Sequence, residues 1–170
     1  MNQHIFLIGM MGCGKSTIGR TLAAQMDCSL IDLDDLITAR EGKSIPEIFA
    51  QGGDAGFRLC ETAALKAACG KAPCVVATGG GIITREENIA LMREHGTVVW
   101  LNRPLEDMIA DVRQDTRPNL AGDKEERMRT LFAAREALYR SAAHIEFDNR
   151  LPAAQSAGLL TALLQECGII

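Results

Sequence analysis

The chain has 170 residues, of which 47% are hydrophobic and 24% are charged, and its formal net charge is -4. This length and composition fit a single globular domain with its own hydrophobic core. The acidic balance argues against a protein that binds nucleic acid or an anionic membrane. No apolar run approaches the length of a membrane span, and the N-terminus lacks the features of a signal peptide. We therefore expect a cytoplasmic protein without nucleic-acid or membrane partners.

Five short apolar runs predict β-strands, and the segments between them are long enough for helices. The runs are His4–Ile8, Ser29–Asp32, Pro73–Ala77, Thr97–Leu101 and His144–Phe147. Their alternation with helical segments predicts an α/β fold with a parallel sheet. Near-continuous apolarity, as in IFLI and VVWL, is typical of strands that helices cover on both faces of the sheet.

Several helices can be located from their start signals and composition. Ser44–Glu47 predicts a capping box with a proline in the first turn, and Thr84–Glu87 predicts a second box that opens a helix to about His95. Asp123–Ser141 is helical by composition and period. Arg113–Gly122 is polar and contains a proline, so we predict a mobile loop or lid between two helices.

The six cysteines form no CxxC pair and no zinc-site spacing with histidine, so we expect reduced and mostly buried thiols. Cys13 is the exception, because it lies within a glycine-rich loop. Two interpretations of Cys13 are possible: a partly exposed thiol that can be alkylated, or a small residue that only fills space. We prefer the second, the filler interpretation.

Residues 9–16 read GMMGCGKS and match the phosphate-loop pattern G-x-x-x-x-G-K-[ST], between a predicted strand and a helical segment from Lys15 to about Gln25. Backbone N–H groups in such a loop close around phosphate oxygens, and the helix N-terminus adds a positive dipole. Lys15 would place its charge at the β- and γ-phosphates, and the Ser16 hydroxyl would ligate Mg²⁺. We therefore predict an ATP site with Mg²⁺ as cofactor, and disfavour a ligand-free glycine turn. The predicted ATP-binding residues of this loop, 9–17, are Gly12, Cys13, Gly14, Lys15, Ser16 and Thr17.

Asp32 and Asp34 lie at the C-terminal end of the second predicted strand, where open α/β sheets place their ligand crevice. Asp32 can hold a magnesium-bound water, and Asp34 can accept a hydrogen bond or a proton from an acceptor hydroxyl. The alternative is that either carboxylate caps the helix that follows.

Two further features point to the same crevice. Arg58 and Glu61 are three residues apart, hence on one helix face, although a solvent-exposed ion pair would explain them equally well. Gly79, Gly80 and Gly81 directly follow the third predicted strand. Three residues without Cβ at the crevice end of a strand favour close contact with a ligand over a simple glycine turn.

The order and spacing of these motifs resemble those of the shikimate kinase family. The resemblance rests on GMMGCGKST, the two aspartates, GKSIPEIF followed by GDAGFRLCE, the three glycines, Arg117-Pro118 and Arg135-x-x-x-Tyr139, and it spans about residues 4–145. It implies a single P-loop kinase domain with a five-stranded parallel sheet, an acceptor region at about 33–61 and a lid at about 113–122. It also implies transfer of the ATP γ-phosphoryl group to the shikimate 3-hydroxyl, a step of aromatic amino-acid (chorismate) biosynthesis.

The resemblance also implies residue roles. Lys15, Asp34 and Arg117 would be catalytic, with Arg117 reaching the ATP phosphates from the lid, and Ser16 and Asp32 would serve the metal. The implied shikimate contacts are Asp34, Arg58, Gly79, Gly80, Gly81 and Arg135. Glu61 would hold the Arg58 guanidinium in place. Either Arg113 or Arg150 would pack on the adenine.

The chain departs from the family pattern at three places, and we expect none of them to contact a predicted site residue. Asp54 stands where the family usually has Glu, Thr38 where Glu is common, and Asn119-Leu120 where Leu-Leu is frequent. Another P-loop small-molecule kinase, such as a gluconate or nucleoside monophosphate kinase, is the nearest alternative function. A nucleotide switch or an ATPase subunit is an alternative from a different class. We expect a monomer, because no apolar helix face is evidently left over.

Overall fold

A five-stranded parallel sheet forms the centre of the protein. The computed structural model describes residues 2–114 and 121–170, without the side chains of 112–114 and 121–123. The strands are β1 (His4–Ile8), β2 (Leu30–Asp32), β3 (Val75–Ala77), β4 (Gly96–Asn102) and β5 (Ile145–Asp148). Their spatial order is β2-β3-β1-β4-β5. The predicted α/β fold is confirmed, and each predicted strand agrees with the observed one to within about two residues.

Helices connect the strands and cover both faces of the sheet, as predicted. They are α1 (Lys15–Gln25), α2 (Leu33–Glu41), α3 (Ile45–Cys69), α4 (Glu86–His95), α5 (Leu105–Gln114), α6 (Ala121–Ala142) and α7 (Ala153–Glu166). The chain crosses from β1 to β2 in one direction and returns through β3 to β4 and β5 in the other. Right-handed crossovers therefore place α1, with its neighbour α7, on the face opposite to α3, α4 and α6. None of the described helices is long and apolar enough to cross a membrane.

The central strands carry the hydrophobic core. Ile5, Phe6, Leu7 and Ile8 of β1 have no solvent-exposed surface, because helices cover both sides of the sheet. On one face, Trp100 of β4 stacks on Tyr139 of α6, with ring centroids 5.8 Å apart. This aromatic contact fixes α6 against the sheet, and α6 also carries Arg135.

One of the two predicted capping boxes is present. The Glu47 carboxylate accepts hydrogen bonds from the backbone N–H and the hydroxyl of Ser44, at 2.8 and 2.7 Å. The prediction of a box at Thr84 is wrong, because α4 begins after Arg85 and has no side-chain cap. Thr84 instead ends a short 3₁₀ turn and donates its hydroxyl to the carbonyl of Gly81 at 2.7 Å, so a local backbone acceptor takes the capping group.

The predicted lid segment, residues 113–122, is helical at both ends. Helix α5 continues through Gln114, and α6 begins at Ala121. Residues 115–120, which include Arg117, lie outside the described residues, so the lid stays a prediction. All six cysteines are free, and Cys13 is fully buried, in agreement with the filler interpretation.

Candidate active site

Three adjoining cavities lie along the C-terminal edge of the sheet. The central cavity, about 310 Å³, is lined by the phosphate loop, Asp32, Asp34 and Thr78–Gly80. The acceptor cavity, about 360 Å³, shares Met11, Asp34, Gly79 and Gly80 with it and extends to α3 and α6. The base cavity, about 320 Å³, shares Gly14 with the central cavity and extends to residues 149–153. Such a row offers space for a nucleotide and an acceptor side by side.

The phosphate loop closes around the ammonium group of Lys15. Lys15 Nζ donates to the carbonyls of Gly9 and Met10, at 2.9 Å each, which holds the charge at the mouth of the loop. Gly14 immediately precedes α1 with φ of 92°, a left-handed conformation that a residue with Cβ rarely adopts. The buried Asn149 donates to the Cys13 carbonyl at 2.7 Å and so ties the loop to the chain that follows β5.

Asp32 caps the helix that follows it and also faces the phosphate loop. Its Oδ1 accepts the N–H of Asp34 at 3.1 Å and caps α2, while its Oδ2 accepts the Ser16 hydroxyl at 2.5 Å. The cap orients the carboxylate so that the second oxygen faces the phosphate loop. A hydroxyl and a carboxylate oxygen side by side are the hard donors that Mg²⁺ prefers.

Asp34 lies between the central cavity and the acceptor cavity, and it lines both. It is the second residue of α2. Water reaches its side chain, but the walls of the groove desolvate it in part and thereby raise its pKa, and the Asp32 carboxylate adds to this effect. The charges of Lys15 and Arg58 oppose the rise. A carboxylate with a raised pKa is a better proton acceptor for a hydroxyl group.

Arg58 is held by two carboxylates of its own helix. Helix α3 bends at Gly53, where φ is 62°, and the part after the bend carries all three side chains. Arg58 forms one ion pair with Glu61 and a second with Asp54, the latter at 2.9 Å. The Glu61 side chain is only 1% exposed, so the solvent-exposed pair considered from the sequence is excluded. The expectation that Asp54 contacts no site residue is wrong, because one helical turn brings its shorter side chain to Arg58.

The glycine triplet makes room for this ion pair. A Cβ atom at Gly79 would overlap the Glu61 carboxylate, and one at Gly81 would overlap the Arg58 guanidinium. A close approach is therefore found at two of the three glycines, and side chains of the protein itself make it, while contact with a ligand stays a prediction. All three glycines also line the acceptor cavity.

The carbonyl of Gly80 receives two donors from α6. The Tyr139 hydroxyl donates to it at 2.5 Å, and a terminal nitrogen of Arg135 donates to it at 3.3 Å. Tyr139 is completely buried, and burial raises the pKa of its hydroxyl, which therefore stays protonated as a donor. Arg135 is half-buried and lines the acceptor cavity from α6, and its charge acts on Glu61 of α3.

The base cavity bears on the choice between Arg113 and Arg150. Arg150 lines this cavity and its Nε donates to Asp148 at 2.9 Å. The Arg113 side chain lies outside the described residues. Arg103 also lines the cavity and donates to the Gly12 carbonyl at 2.9 Å. The sequence interpretation missed Arg103, because no motif singles it out.

The acceptor cavity has walls that the sequence interpretation also missed. Phe49 and Phe57 stack with ring centroids 4.4 Å apart and form an apolar wall. Leu131 and Arg127 lie one and two helical turns before Arg135 on α6, respectively, and they line the cavity with it. The spacing i, i+4, i+8 on a helix was the available signal for these two residues.

Comparison with known proteins gives one consistent family. The family model described as shikimate kinase matches residues 11–165. A shikimate kinase from Neisseria gonorrhoeae is 44% identical over 144 residues, which cover 84% of this chain and 85% of the relative. The structure of a shikimate kinase from Acinetobacter baumannii in complex with shikimate is 35% identical, with a TM-score of 0.86, and the match covers 96% of this chain and 94% of the other.

A gluconokinase from Sinorhizobium meliloti is a more distant structural neighbour. It is 16% identical, with a TM-score of 0.60, over 98% of this chain and 95% of its own, and this likeness extends to the fold alone. The family model, by contrast, spans nearly the whole chain, including the phosphate loop from Met11 onward, the paired aspartates and the arginines of the acceptor cavity. The chain belongs to the shikimate kinase family.

Proposed function

We propose that this protein is a shikimate kinase, which transfers the γ-phosphoryl group of ATP to the 3-hydroxyl of shikimate and forms shikimate 3-phosphate and ADP. The observation that carries the proposal is the acceptor cavity, where Arg58 and Arg135 line a space that also contains Asp34 and opens to the phosphate loop. Shikimate is a small carboxylated polyol, and guanidinium groups offer paired donors to a carboxylate. A relative in the same family has been solved in complex with shikimate.

The reaction is an in-line displacement in which positioning and charge neutralisation contribute most of the catalysis. The acceptor oxygen forms a bond to the γ-phosphorus, the bond to the β,γ-bridging oxygen breaks, and ADP leaves. Asp34 orients the hydroxyl and takes its proton, a role that its raised pKa and its place between the two cavities support. Lys15 neutralises charge on the phosphoryl oxygens. We propose that Arg117 joins it from the lid, whose closure excludes water.

Ser16 and Asp32 are the residues that would hold Mg²⁺. Their oxygen atoms meet at 2.5 Å at the edge of the central cavity, and this donor set fits the ion. When bound, Mg²⁺ neutralises charge on the β- and γ-phosphates.

We propose that Arg150 is the arginine that packs on the adenine, because it lines the base cavity beyond the phosphate loop.

We also propose that the protein acts as a cytoplasmic monomer. Its six free cysteines suit a reducing compartment. The exposed leucines, Leu59, Leu138, Leu151 and Leu159, are scattered over three helices and a loop. Light scattering on the purified protein measures its molar mass in solution and so tests whether it is a monomer.

An ADP-release assay tests the function against its alternatives. Shikimate, gluconate and nucleoside monophosphates are each offered with Mg·ATP, and one sample receives no acceptor. We expect rapid ADP release with shikimate alone. Equal or faster turnover with gluconate or a nucleotide would reassign the acceptor, and substantial turnover without any acceptor would indicate a switch or motor ATPase.

Arg135→Ala is expected to raise the KM for shikimate about tenfold or more and to leave ATP affinity unchanged. A charge-assisted contact to a carboxylate contributes about 1.5–3 kcal/mol, and roughly 1.4 kcal/mol corresponds to a factor of ten. Arg135 is a cleaner target than Arg58, because Arg58 forms the ion pair with the buried Glu61 carboxylate, whereas Arg135 acts on Glu61 only at longer range. Arg140→Ala is the matched control, since Arg140 is an exposed arginine of the same helix that pairs with Glu136 and Glu146.

Shikimate methyl ester makes the Arg135 test specific for the carboxylate. The ester should be a poor substrate of the wild-type protein and should lose little more in Arg135→Ala, because both changes delete one interaction. Lysine at position 135 should restore activity toward the acid only in part, since it keeps the charge and loses the planar fork. If the ester reacts as well as the acid, the arginine does not bind the carboxylate.

Tyr139→Phe is expected to raise the KM for shikimate about fivefold with little change in the KM for ATP. The substitution removes the hydroxyl that holds the Gly80 carbonyl and keeps the ring that stacks on Trp100. Arg135 then becomes the remaining side-chain donor to that carbonyl among the described residues and is drawn away from the acceptor. A lost hydrogen bond of about 1 kcal/mol accounts for this size of effect. Steady-state kinetics with both substrates measure the two KM values, and thermal unfolding checks that the variant is folded. An unchanged shikimate KM would contradict the role proposed for the Tyr139 hydroxyl.

A further inference from the structure

The charged side chains around the acceptor cavity do not pair off evenly. Three acids and three arginines line it: Asp34, Asp54, Glu61, Arg58, Arg127 and Arg135. Asp54 and Glu61 both bind Arg58, so two of the acids neutralise a single arginine. The third acid, Asp34, faces the phosphate loop, where the Lys15 charge acts on it.

Two cations of the cavity, Arg135 and Arg127, therefore form no ion pair with a described carboxylate, although the Arg135 charge acts on Glu61 at longer range. Arg135 donates to a backbone carbonyl, and neither it nor Arg127 forms an ion pair there. This is not general for α6, because Arg129 binds Glu106 and Glu125, and Arg140 binds Glu136 and Glu146. The unpaired arginines of this helix, within the part of the chain that the structure describes, are those that line the acceptor cavity.

The two unpaired arginines occupy different depths. Arg135 is half-buried beside Gly80, a residue that the acceptor cavity shares with the central cavity. Arg127 is exposed and lies two helical turns away, and neither it nor Leu131 lines the central cavity. Arg127 therefore lies on the side of the acceptor cavity that is away from the phosphate loop, at its opening to solvent.

We propose that Arg127 is a substrate-binding residue that captures the carboxylate of the acceptor at the mouth of the cavity and shares it with Arg135. The proposal rests on the proposed function. Asp54, Glu61 and Arg58 together carry one negative charge, which Arg135 offsets, and Lys15 offsets Asp34. Arg127 therefore adds a net positive charge, which attracts an anionic acceptor. Because Arg127 is exposed, its attraction acts through solvent and weakens as salt is added.

Arg127→Gln tests the proposal, with Arg140→Gln as the control for the same change of charge on the same helix. At low ionic strength we expect the shikimate KM of Arg127→Gln to rise about three- to tenfold, with kcat within about twofold and the ATP KM unchanged. Arg127→Lys should restore most of the loss. Added salt should raise the KM of the wild type toward that of Arg127→Gln. Calorimetry of shikimate binding should show the same loss of affinity without turnover.

Three outcomes would overturn the proposal: a shikimate KM equal to that of Arg140→Gln, a loss confined to kcat, or a loss of ATP affinity instead. These outcomes are distinguishable from failure of the proposed function. If the wild-type protein phosphorylates shikimate and Arg127→Gln behaves as the control does, only the role of Arg127 is wrong. If the wild-type protein does not phosphorylate shikimate, the function itself is wrong.

Discussion

Lys15→Ala is expected to lower kcat by about 10²–10³-fold, the loss typical of removing one group that stabilises charge in the transition state. The two backbone carbonyls that accept its hydrogen bonds aim the Lys15 ammonium group at the space within the phosphate loop. Charge on the transferred group changes most between ground and transition state, so turnover should suffer more than ATP affinity. Single-turnover kinetics with saturating shikimate measure the effect.

Lys15→Ala removes a charge and also removes two hydrogen bonds within the phosphate loop, because the ammonium group donates to the carbonyls of Gly9 and Met10. The controls therefore have to distinguish the loss of charge from a change in the loop. Thermal unfolding and ATP binding report on the loop. Lys66→Ala removes an exposed lysine in the last turn of α3 and should behave as wild type. Near-normal turnover in a folded Lys15→Ala protein would remove this residue from the mechanism.

Asp34→Asn is expected to reduce kcat by about 10²–10⁴-fold, the range that a positioned general base contributes. The amide keeps the size of the side chain and loses the ability to take a proton from the acceptor. The link to Asp32 should survive, because the backbone N–H of Asp34 makes that hydrogen bond. ATP binding should therefore remain close to that of the wild type.

Asp35→Asn is the matched control for Asp34→Asn. Asp35 is the next residue in the first turn of α2 and is exposed, and it does not line the central or the acceptor cavity. Its substitution removes the same charge and should leave kcat within about twofold. Should Asp34→Asn retain the turnover of Asp35→Asn, the acceptor proton leaves by another route and Asp34 serves only in orientation.

Features set by neighbouring residues could be predicted from the sequence. The phosphate loop lies between a strand and a helix that its own residues specify, and the buried strands are continuous apolar runs. The Ser44 capping box depends on residues three apart. The same local pattern occurs at Thr84, but no capping box forms there, because the Thr84 hydroxyl donates to the nearby carbonyl of Gly81 instead.

Features that depend on packing between distant elements could not be predicted. Tyr139 and Gly80 are 59 residues apart, and only the folded sheet brings the hydroxyl to the carbonyl. Asp54 is a local exception, because it lies four residues before Arg58 on α3 and the i, i+4 spacing was visible in the sequence. Arg127 became a candidate only when the partners of every other charge in the acceptor cavity were known.

The packing of Gly79 and Gly81 against the Arg58–Glu61 pair limits how this chain could evolve toward another acceptor. Any replacement of these glycines adds at least a methyl group, which would overlap Glu61 at position 79 or Arg58 at position 81. Shrinking Arg58 first would leave the buried Glu61 carboxylate without its ion-pair partner, and shrinking Glu61 first would leave Arg58 paired with Asp54 alone. Either order first breaks this ion pair, so new acceptor preferences are expected at walls with fewer constraints, such as Phe49 and Leu131.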